Sequence, residues 1–386
     1  MQLVYTAIFA AVKIAVNTRF LLPHSLEGIG WFTYEIFKRL VTQHPEHEFI
    51  FYFDRPYKAR FVFGDNVTPI VLYPPARHPI LWQIWFNFSL KRSLKKHKPD
   101  IFISPDGYLP LPCPVRSISV IHDINFEHNP QYLLGRARKY FLTYFKLFAK
   151  EANRIATVSQ YSKKDIIETY GINPDKIDLV YNGIGNFFKP LNEEDQAQVR
   201  QTYTSGSPYF VFIGALNPRK NLEGMLAAYK IYRQEGGDRR FLVVGTKMYW
   251  PETLEKAYSK HPYKADIIFT GRLEREGLNQ VLASAQALLF VSHFEGFGIP
   301  MIEAFQCHVP VITSTKTSLP EVADGAALLC EPNNHESIAN AMFKVQQSDV
   351  RQSLVEKGIK RAAFFSWEQS ADMMWGSIQK CLADEA

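Results

Sequence analysis

Short runs of β-branched and aromatic residues alternate along the chain with segments whose apolar positions recur at helical spacing, the pattern of parallel α/β units. In the first half the runs predict strands at Lys13–Thr18, Glu48–Phe53, Val67–Tyr73, Asp100–Ser104, Ser117–His122, Arg154–Ser159 and Ile177–Tyr181. In the second half they predict strands at Tyr209–Gly214, Arg240–Gly245, Asp266–Thr270, Ala287–Ser292, Val309–Thr313 and Ala327–Leu329. Several are apolar throughout rather than alternating, as strands covered by helices on both faces should be. Ser162-Lys163-Lys164-Asp165 has capping-box spacing and predicts the opening of a helix over 160–170 that ends at Gly171. Around 182–205 these signals fade into Gly183, Gly185, Pro190 and a charged, glutamine-rich stretch, which predicts a linker. The expected domains are therefore 1–187 and 188–365, followed by a C-terminal helix at 366–386 able to cross back onto the first domain. A chain of 386 residues is long enough for two such α/β domains.

The segment Pro79–Lys98 supports two readings. Leu81, Trp82, Ile84, Trp85, Phe86, Phe88 and Leu90 precede Lys91, Arg92, Lys95, Lys96 and Lys98. A crossover helix packed on the sheet would use the apolar residues as core, and the strand that follows needs such a cover. An interfacial helix would press the same residues into an anionic membrane. The readings are compatible if the helix has aromatic surface to spare, and Arg136–Lys150 poses the same choice.

Charge changes the picture further. The net +6 conceals 24 Lys/Arg against 15 Asp/Glu up to Pro190, and 20 against 23 beyond it. A basic first half suits anionic lipid or a phosphorylated acceptor. Nucleic acid is not an expected partner, because no nucleic-acid-binding motif accompanies the charge. No apolar run reaches the 18 residues or so of a membrane span. Residues Met1–Val12 are apolar but lack a basic leader, so they are expected to form an extension before the first strand rather than a signal peptide. Cys113, Cys307, Cys330 and Cys381 lie far apart and fit neither a disulfide framework nor a metal pair. The expected location is cytoplasmic, peripheral to the inner face of the membrane if the basic helices touch it.

Chemistry is expected in loops beyond the carboxyl ends of the strands. The most specific is Ser292-His-Phe-Glu295-Gly296-Phe297-Gly298-Ile-Pro300-Met-Ile-Glu303, between an apolar strand and a helix that tolerates proline in its first turn. Its glycines admit close backbone approach and its helix start suits phosphate. Gly214-Ala-Leu-Asn-Pro218-Arg219-Lys220-Asn221 likewise joins a strand to a helix and brings two cations that could neutralise a diphosphate. The chain has no DxD triplet, HExxH or GxGxxG, so a metal-bridged diphosphate and a dinucleotide Rossmann site are both poorly supported.

On these residues the chain resembles the retaining glycosyltransferases of family 4, from about Lys13 to Trp375. Glu295 and Glu303 match the family's E-x7-E motif, and Pro218-Arg-Lys-Asn221 looks like its PRKN-type phosphate loop, although Ala215 follows Gly214 where many members have arginine. Glu27-Gly28-Ile-Gly30-Trp31 is similar to the GIGRYT-type loop with tryptophan in place of arginine, and His122-Asp123-Ile-Asn-Phe126 resembles the strand-end HD-x-x-F. The resemblance implies a GT-B fold, two Rossmann-like parallel-sheet domains facing a central cleft. It implies that Glu295 and His122 serve the donor sugar, that Glu303 holds the ribose, and that Arg219 and Lys220 hold the diphosphate. Gly28, Gly30, Gly214, Gly271, Arg272, Gly296, Phe297 and Gly298 are the further candidate nucleotide-sugar contacts.

The expected function is metal-independent, retaining transfer of a hexose from a nucleoside-diphosphate sugar, the co-substrate, to a glycan or lipid-linked acceptor in surface-polysaccharide synthesis. GDP-mannose is favoured over a UDP-sugar. A nucleotide-sugar epimerase or hydrolase on the same fold, or a non-catalytic nucleotide-sugar-binding or membrane-associated protein, are the alternatives.

Overall fold

A computed structural model of the chain describes residues 11–23, 26–133, 135–246 and 250–384. Most of the apolar extension expected at Met1–Val12, and Ser25 of the first glycine loop, lie outside the described residues. The chain divides into two compact units. The first takes the chain up to Val158, Ser162–Tyr181 and everything from Trp367 onward, and the second takes Ser159–Tyr161 and Asn182–Ser366.

The first unit holds β1 (Lys13–Asn17), β2 (Glu48–Phe53), β3 (Val67–Val71), β4 (Ile101–Ser104), β5 (Arg116–Val120), β6 (Arg154–Thr157) and β7 (Ile177–Leu179). They form one sheet in the order β3-β2-β1-β4-β5-β6-β7, and every pairing is parallel. The second unit holds β8 (Tyr209–Ile213), β9 (Arg240–Val244), β10 (Ile267–Gly271), β11 (Ala287–Phe290), β12 (Val311–Ser314) and β13 (Ala327–Cys330). Its order, β10-β9-β8-β11-β12-β13, repeats that topology, again all parallel. Central strands such as β8 (YFVFI) and β11 (ALLF) are buried along their whole length. Helices on both faces remove all their apolar area from water, so such strands need no polar alternation.

Every predicted strand is present; eight of the thirteen predicted ends overshoot, while Phe53 and Ser104 match and Thr270, Thr313 and Leu329 fall one residue short. Residues such as His122, Ser159 and Ser292 leave the ladder and enter the loops that carry the candidate site. The linker expected at 182–205 contains a regular helix, Glu193–Thr204, capped by the Asn192 side chain accepting from the Asp195 amide at 2.8 Å. Only Val199 and Thr204 of it are buried, so it lacked an apolar stripe to announce it. The helix over 160–170 begins at Gln160, not at Ser162. The Glu321 carboxylate accepts from the Gln160 and Tyr161 amides at 2.8 and 3.0 Å and takes over the capping role, while Ser162 Oγ donates to the His122 carbonyl. Pro79–His97 forms a continuous helix in which Trp85–Leu90 makes a π turn. Trp85, Phe86, Leu90 and Leu94 enter the core, as a crossover helix requires.

The last helix, Trp367–Ala383, packs within the first unit. Ser377 Oγ and Lys380 Nζ donate to the Asp178 carboxylate at 2.8 and 2.7 Å.

Candidate active site

In each sheet the strand order reverses at one point, between β1 and β4 and between β8 and β11. Loops that diverge there open a crevice at the strands' carboxyl ends. Both of the most specific sequence motifs in the second unit fall at such a point, one after β8 and one after β11.

After β8, Pro218–Lys220 forms a single 3-10 turn, and Asn221 follows in the left-handed region with φ 57°. The Asn221 side chain donates to the carbonyls of Val291 and Pro332 and accepts from the Gly224 amide, so it fixes the turn against the end of β11. That turn brings both cations onto one carboxylate. Arg219 Nη1 lies 2.8 Å from Glu295 Oε2, and Lys220 Nζ lies 2.5 Å from Glu295 Oε1. Burial alone would raise the Glu295 pKa, but Arg219 and Lys220 outweigh it and hold the carboxyl below its ordinary value. Arg219 also donates to the Phe294 carbonyl at 2.7 Å, and Ser318 Oγ donates to the Glu295 carbonyl at 2.9 Å. The three charged candidates are thus one clamped group.

The Glu295 loop ends at Gly298, which has φ 102° and caps the helix Ile299–Gln306. A Cβ there would also lie 2.9 Å from Leu319, so glycine is required twice over. Phe297 is buried edge-to-face against Phe365 at 5.2 Å, and the Gly296 carbonyl accepts from Ser159 Oγ at 2.8 Å. The Phe297 side chain is therefore packing, and its carbonyl accepts from Ser318 Oγ at 3.3 Å. Glu303 stands one turn into the helix, and burial pushes its carboxyl up to about 7, against the opposing charge of Arg275. Gly214 and Gly271 stand at the ends of β8 and β10, and Arg272 is exposed beside Gly271.

Sequence reasoning missed Gly245, which ends β9 between those two. Its amide donates to the Gly271 carbonyl, and a Cβ on it would come within 1.9 Å of the Gly214 carbonyl oxygen. A strand-end glycine beside two others was the available signal.

His122, Gly28 and Gly30 lie in the first unit. Gly28 and Gly30 are not in a loop but in the first turn of the helix Gly28–Gln43, and Gly30 is packed close beneath the Phe20 carbonyl. The apolar spacing from Ile29 through Phe32 and Ile36 to Leu40 carries the helix through the glycines. The His122 ring stands edge-on to Phe32 at 4.9 Å, and Nε2 is 2.9 Å from the Pro105 carbonyl oxygen. Burial holds the imidazole pKa below its ordinary value, so it is neutral; an Nε2–H must then be the donor to Pro105, and Nδ1 carries the lone pair. Beside it lies a polar network that sequence reading also missed. Asn17 Nδ2 donates to Asp106 at 2.9 Å and to Ser104 at 3.1 Å, and buried Arg19 pairs with Asp106. The Arg19 guanidinium lies 4.4 Å from the Tyr108 ring centre. The Ser104-Pro-Asp106-Gly107 string after β4 was its sequence trace.

Two doubly wound parallel units, the second repeating the order of the first six strands of the first, with charged and glycine-bearing loops at the switch points, make this a protein of the GT-B class. The chain belongs to glycosyltransferase family 4: residues 26–185 match the model described as Glycosyltransferase Family 4, and residues 194–361 match Glycosyl transferases group 1. It is 27% identical to O-antigen chain mannosyltransferase B of Escherichia coli over 360 residues, 90% of this chain and 94% of the relative. Its fold is similar to a sucrose-phosphate synthase from Thermosynechococcus elongatus, with TM-score 0.77 at 17% identity, covering 96% of this chain and 99% of the other. An Anabaena protein solved with UDP-glucose is similar at TM-score 0.74 and 15% identity, covering 96% of this chain and all (100%) of the other.

Proposed function

We propose that the chain is a metal-independent, retaining mannosyltransferase that moves mannose from GDP-mannose to a glycan or lipid-linked acceptor of a surface polysaccharide. The observation that carries this reading is the buried Glu295 carboxylate gripped by both Arg219 and Lys220 at the switch point of the second sheet. The choice of mannose is supported by similarity to an O-antigen mannosyltransferase along nearly its whole length.

The clamp explains how a diphosphate could leave without a metal. Arg219 and Lys220 are fixed in place and partly stripped of water, with Glu295 as their partner. As the bond between C1 and the diphosphate oxygen breaks, these cations and the positive end of the helix Ile299–Gln306 meet the growing charge. The acceptor oxygen bonds to C1 on the face the diphosphate leaves, and its proton passes to the departing phosphate oxygen. Configuration is retained and atoms balance without a protein base. Glu295, ionised, accepts hydrogen bonds from sugar hydroxyls; Glu303 accepts from the ribose; His122, neutral, serves the sugar as a hydrogen-bonding group.

Thermal-shift titration with GDP, GDP-mannose, UDP and UDP-glucose, in chelator, is the first test, because a ligand of the folded state raises its stability. Stabilisation by GDP and GDP-mannose is expected. A shift with the UDP compounds alone would overturn the donor assignment. Lys220→Ala should cut turnover roughly 100–1000-fold, the range for loss of one electrostatic donor. Wild-type turnover in that variant would remove Lys220 from the reaction.

A further inference from the structure

Among the described residues, nine large apolar side chains are strongly exposed: Tyr73, Ile80, Ile84, Phe88, Leu142, Leu147, Leu329, Ile359 and Phe364. Of the first six, Ile80, Ile84 and Phe88 lie on the helix Pro79–His97, Tyr73 lies six residues ahead of it, and Leu142 and Leu147 lie on the helix Gly135–Glu151. These two helices pack together through Trp82, whose ring lies 5.1 Å from Tyr140 and 5.9 Å from Phe141. The first helix has already supplied the core with Trp85, Phe86, Leu90 and Leu94. It carries a second apolar stripe that nothing in the unit covers: Ile80 is 51% exposed, Ile84 37% and Phe88 70%.

The stripe is built by the π turn. Steps of four residues drift forward around an α-helix, which has about 3.6 residues per turn. The wider turn at Trp85–Leu90 advances less per residue, so the step from Ile84 to Phe88 returns toward the line of Ile80. The result is a short apolar ladder facing outward.

Charge identifies what would cover it. Between Asp65 and Asp100 the chain has no Asp or Glu, but it has Arg77, Lys91, Arg92, Lys95, Lys96 and Lys98. From Gly135 to Lys150 it has Arg136, Arg138, Lys139, Lys146 and Lys150, again without an acid. Arg92, Lys95, Lys96 and Lys98 are exposed. A second copy of the chain would set this cationic surface against itself. A nucleic acid would neutralise the cations but leave Ile80 and Ile84 without a use. An anionic bilayer satisfies both, taking the apolar ladder below its headgroups and the cations at them.

We propose that the outward faces of Pro79–His97 and Gly135–Glu151 dock the protein on an anionic lipid bilayer, with Phe88, Ile84 and Ile80 inserted. This deepens the reading of a lipid-linked acceptor but depends on no donor-site residue, so the two fail separately. The test is co-sedimentation of the full chain with phosphatidylcholine vesicles, with and without phosphatidylglycerol, at low and high salt. Binding to the anionic vesicles at low salt, released by high salt, is expected. Joint replacement Ile84→Ser and Phe88→Ser should lower the partition roughly tenfold, and Lys95→Glu with Lys96→Glu by at least as much. Absence of wild-type binding to anionic vesicles at low salt would overturn the proposal, as would serine variants that bind like wild type. So would a dimer, lost in the serine variants, in place of vesicle binding. The GDP thermal shift of each variant reports on fold and donor site independently; it should match wild type.

Discussion

Glu295 and Glu303 lie eight residues apart, yet their surroundings drive them in opposite directions. Both are desolvated. Glu295 has two cations within hydrogen-bonding distance and stays ionised, whereas Glu303 has only the more remote charge of Arg275 and is pushed up to about 7. Two carboxyls held apart in this way can do different work at one pH. For Glu303 the folded value lies above the unfolded value of 4.5, so the folded state holds the extra proton. Its contribution to stability is complete below the unfolded value and is lost as pH rises through the folded one, about 7. Glu303→Gln cannot titrate and should flatten that fall. A rise from 4.5 to about 7 is worth roughly 3 kcal/mol, so the unliganded variant is expected to gain on wild type in melting temperature as pH rises from acid to neutral. Parallel melting curves across that range would show that burial does not perturb Glu303. The pairing of Arg219 and Lys220 with Glu295 was not legible as a contact in the sequence. The three residues could be nominated from two motifs, but only the parallel β8–β11 adjacency brings motifs some 75 positions apart together.

At the level of elements, the strands were legible because burial on both faces leaves an unambiguous apolar run, as in Phe210–Ile213 and Leu288–Phe290. The helix Glu193–Thr204 was not, because it is held by its cap and buries only two side chains. The π turn was illegible for another reason: Trp85, Phe86, Phe88 and Leu90 put apolar side chains at too many spacings for periodicity to fix the turn. The strand-end glycines show how an element boundary becomes a site. Gly214, Gly245 and Gly271 finish the adjacent strands β8, β9 and β10, and the Gly245 position admits no side chain. Gly245→Ala would force a Cβ to 1.9 Å from a carbonyl oxygen at φ 155°, and should destabilise the protein by roughly 3 kcal/mol or more. Gly271→Ala meets open space at φ 72° and should cost only about 1–2 kcal/mol of left-handed strain. Urea unfolding of the two variants side by side checks the contrast. Equal midpoints would mean that the end of β9 yields easily and that Gly245 is not a rigid part of the loop edge.

At the scale of the molecule, the second unit is an excursion: the chain leaves the first unit after Tyr181 and returns at Trp367. Asp178 stands three residues before the exit and ties in the returning helix. Its carboxylate accepts from Arg154 at 2.7 and 3.0 Å, from Ser377 at 2.8 Å and from Lys380 at 2.7 Å. Burial would raise its pKa, but Arg154, Lys380 and Ser377 outweigh that and hold it low. A lowered carboxyl contributes stability above its unfolded value and loses it as pH falls, so the closure of the first unit should be acid-sensitive. Asp178→Ala leaves the Arg154 side chain, 10% exposed, with the Asp175 carbonyl and the more exposed Asp384 but without its main carboxylate partner. That should cost about 3 kcal/mol, the scale for removing one partner of a largely buried pair. The loss should shrink toward acid pH, where the wild-type carboxylate is itself protonated. Because Arg219, Lys220, Glu295 and Glu303 all lie in the second unit, the GDP-induced thermal shift should survive in this variant even as its unfolding midpoint falls. Loss of that shift at a temperature where the variant remains folded would instead mean that donor binding depends on how the returning helix is held.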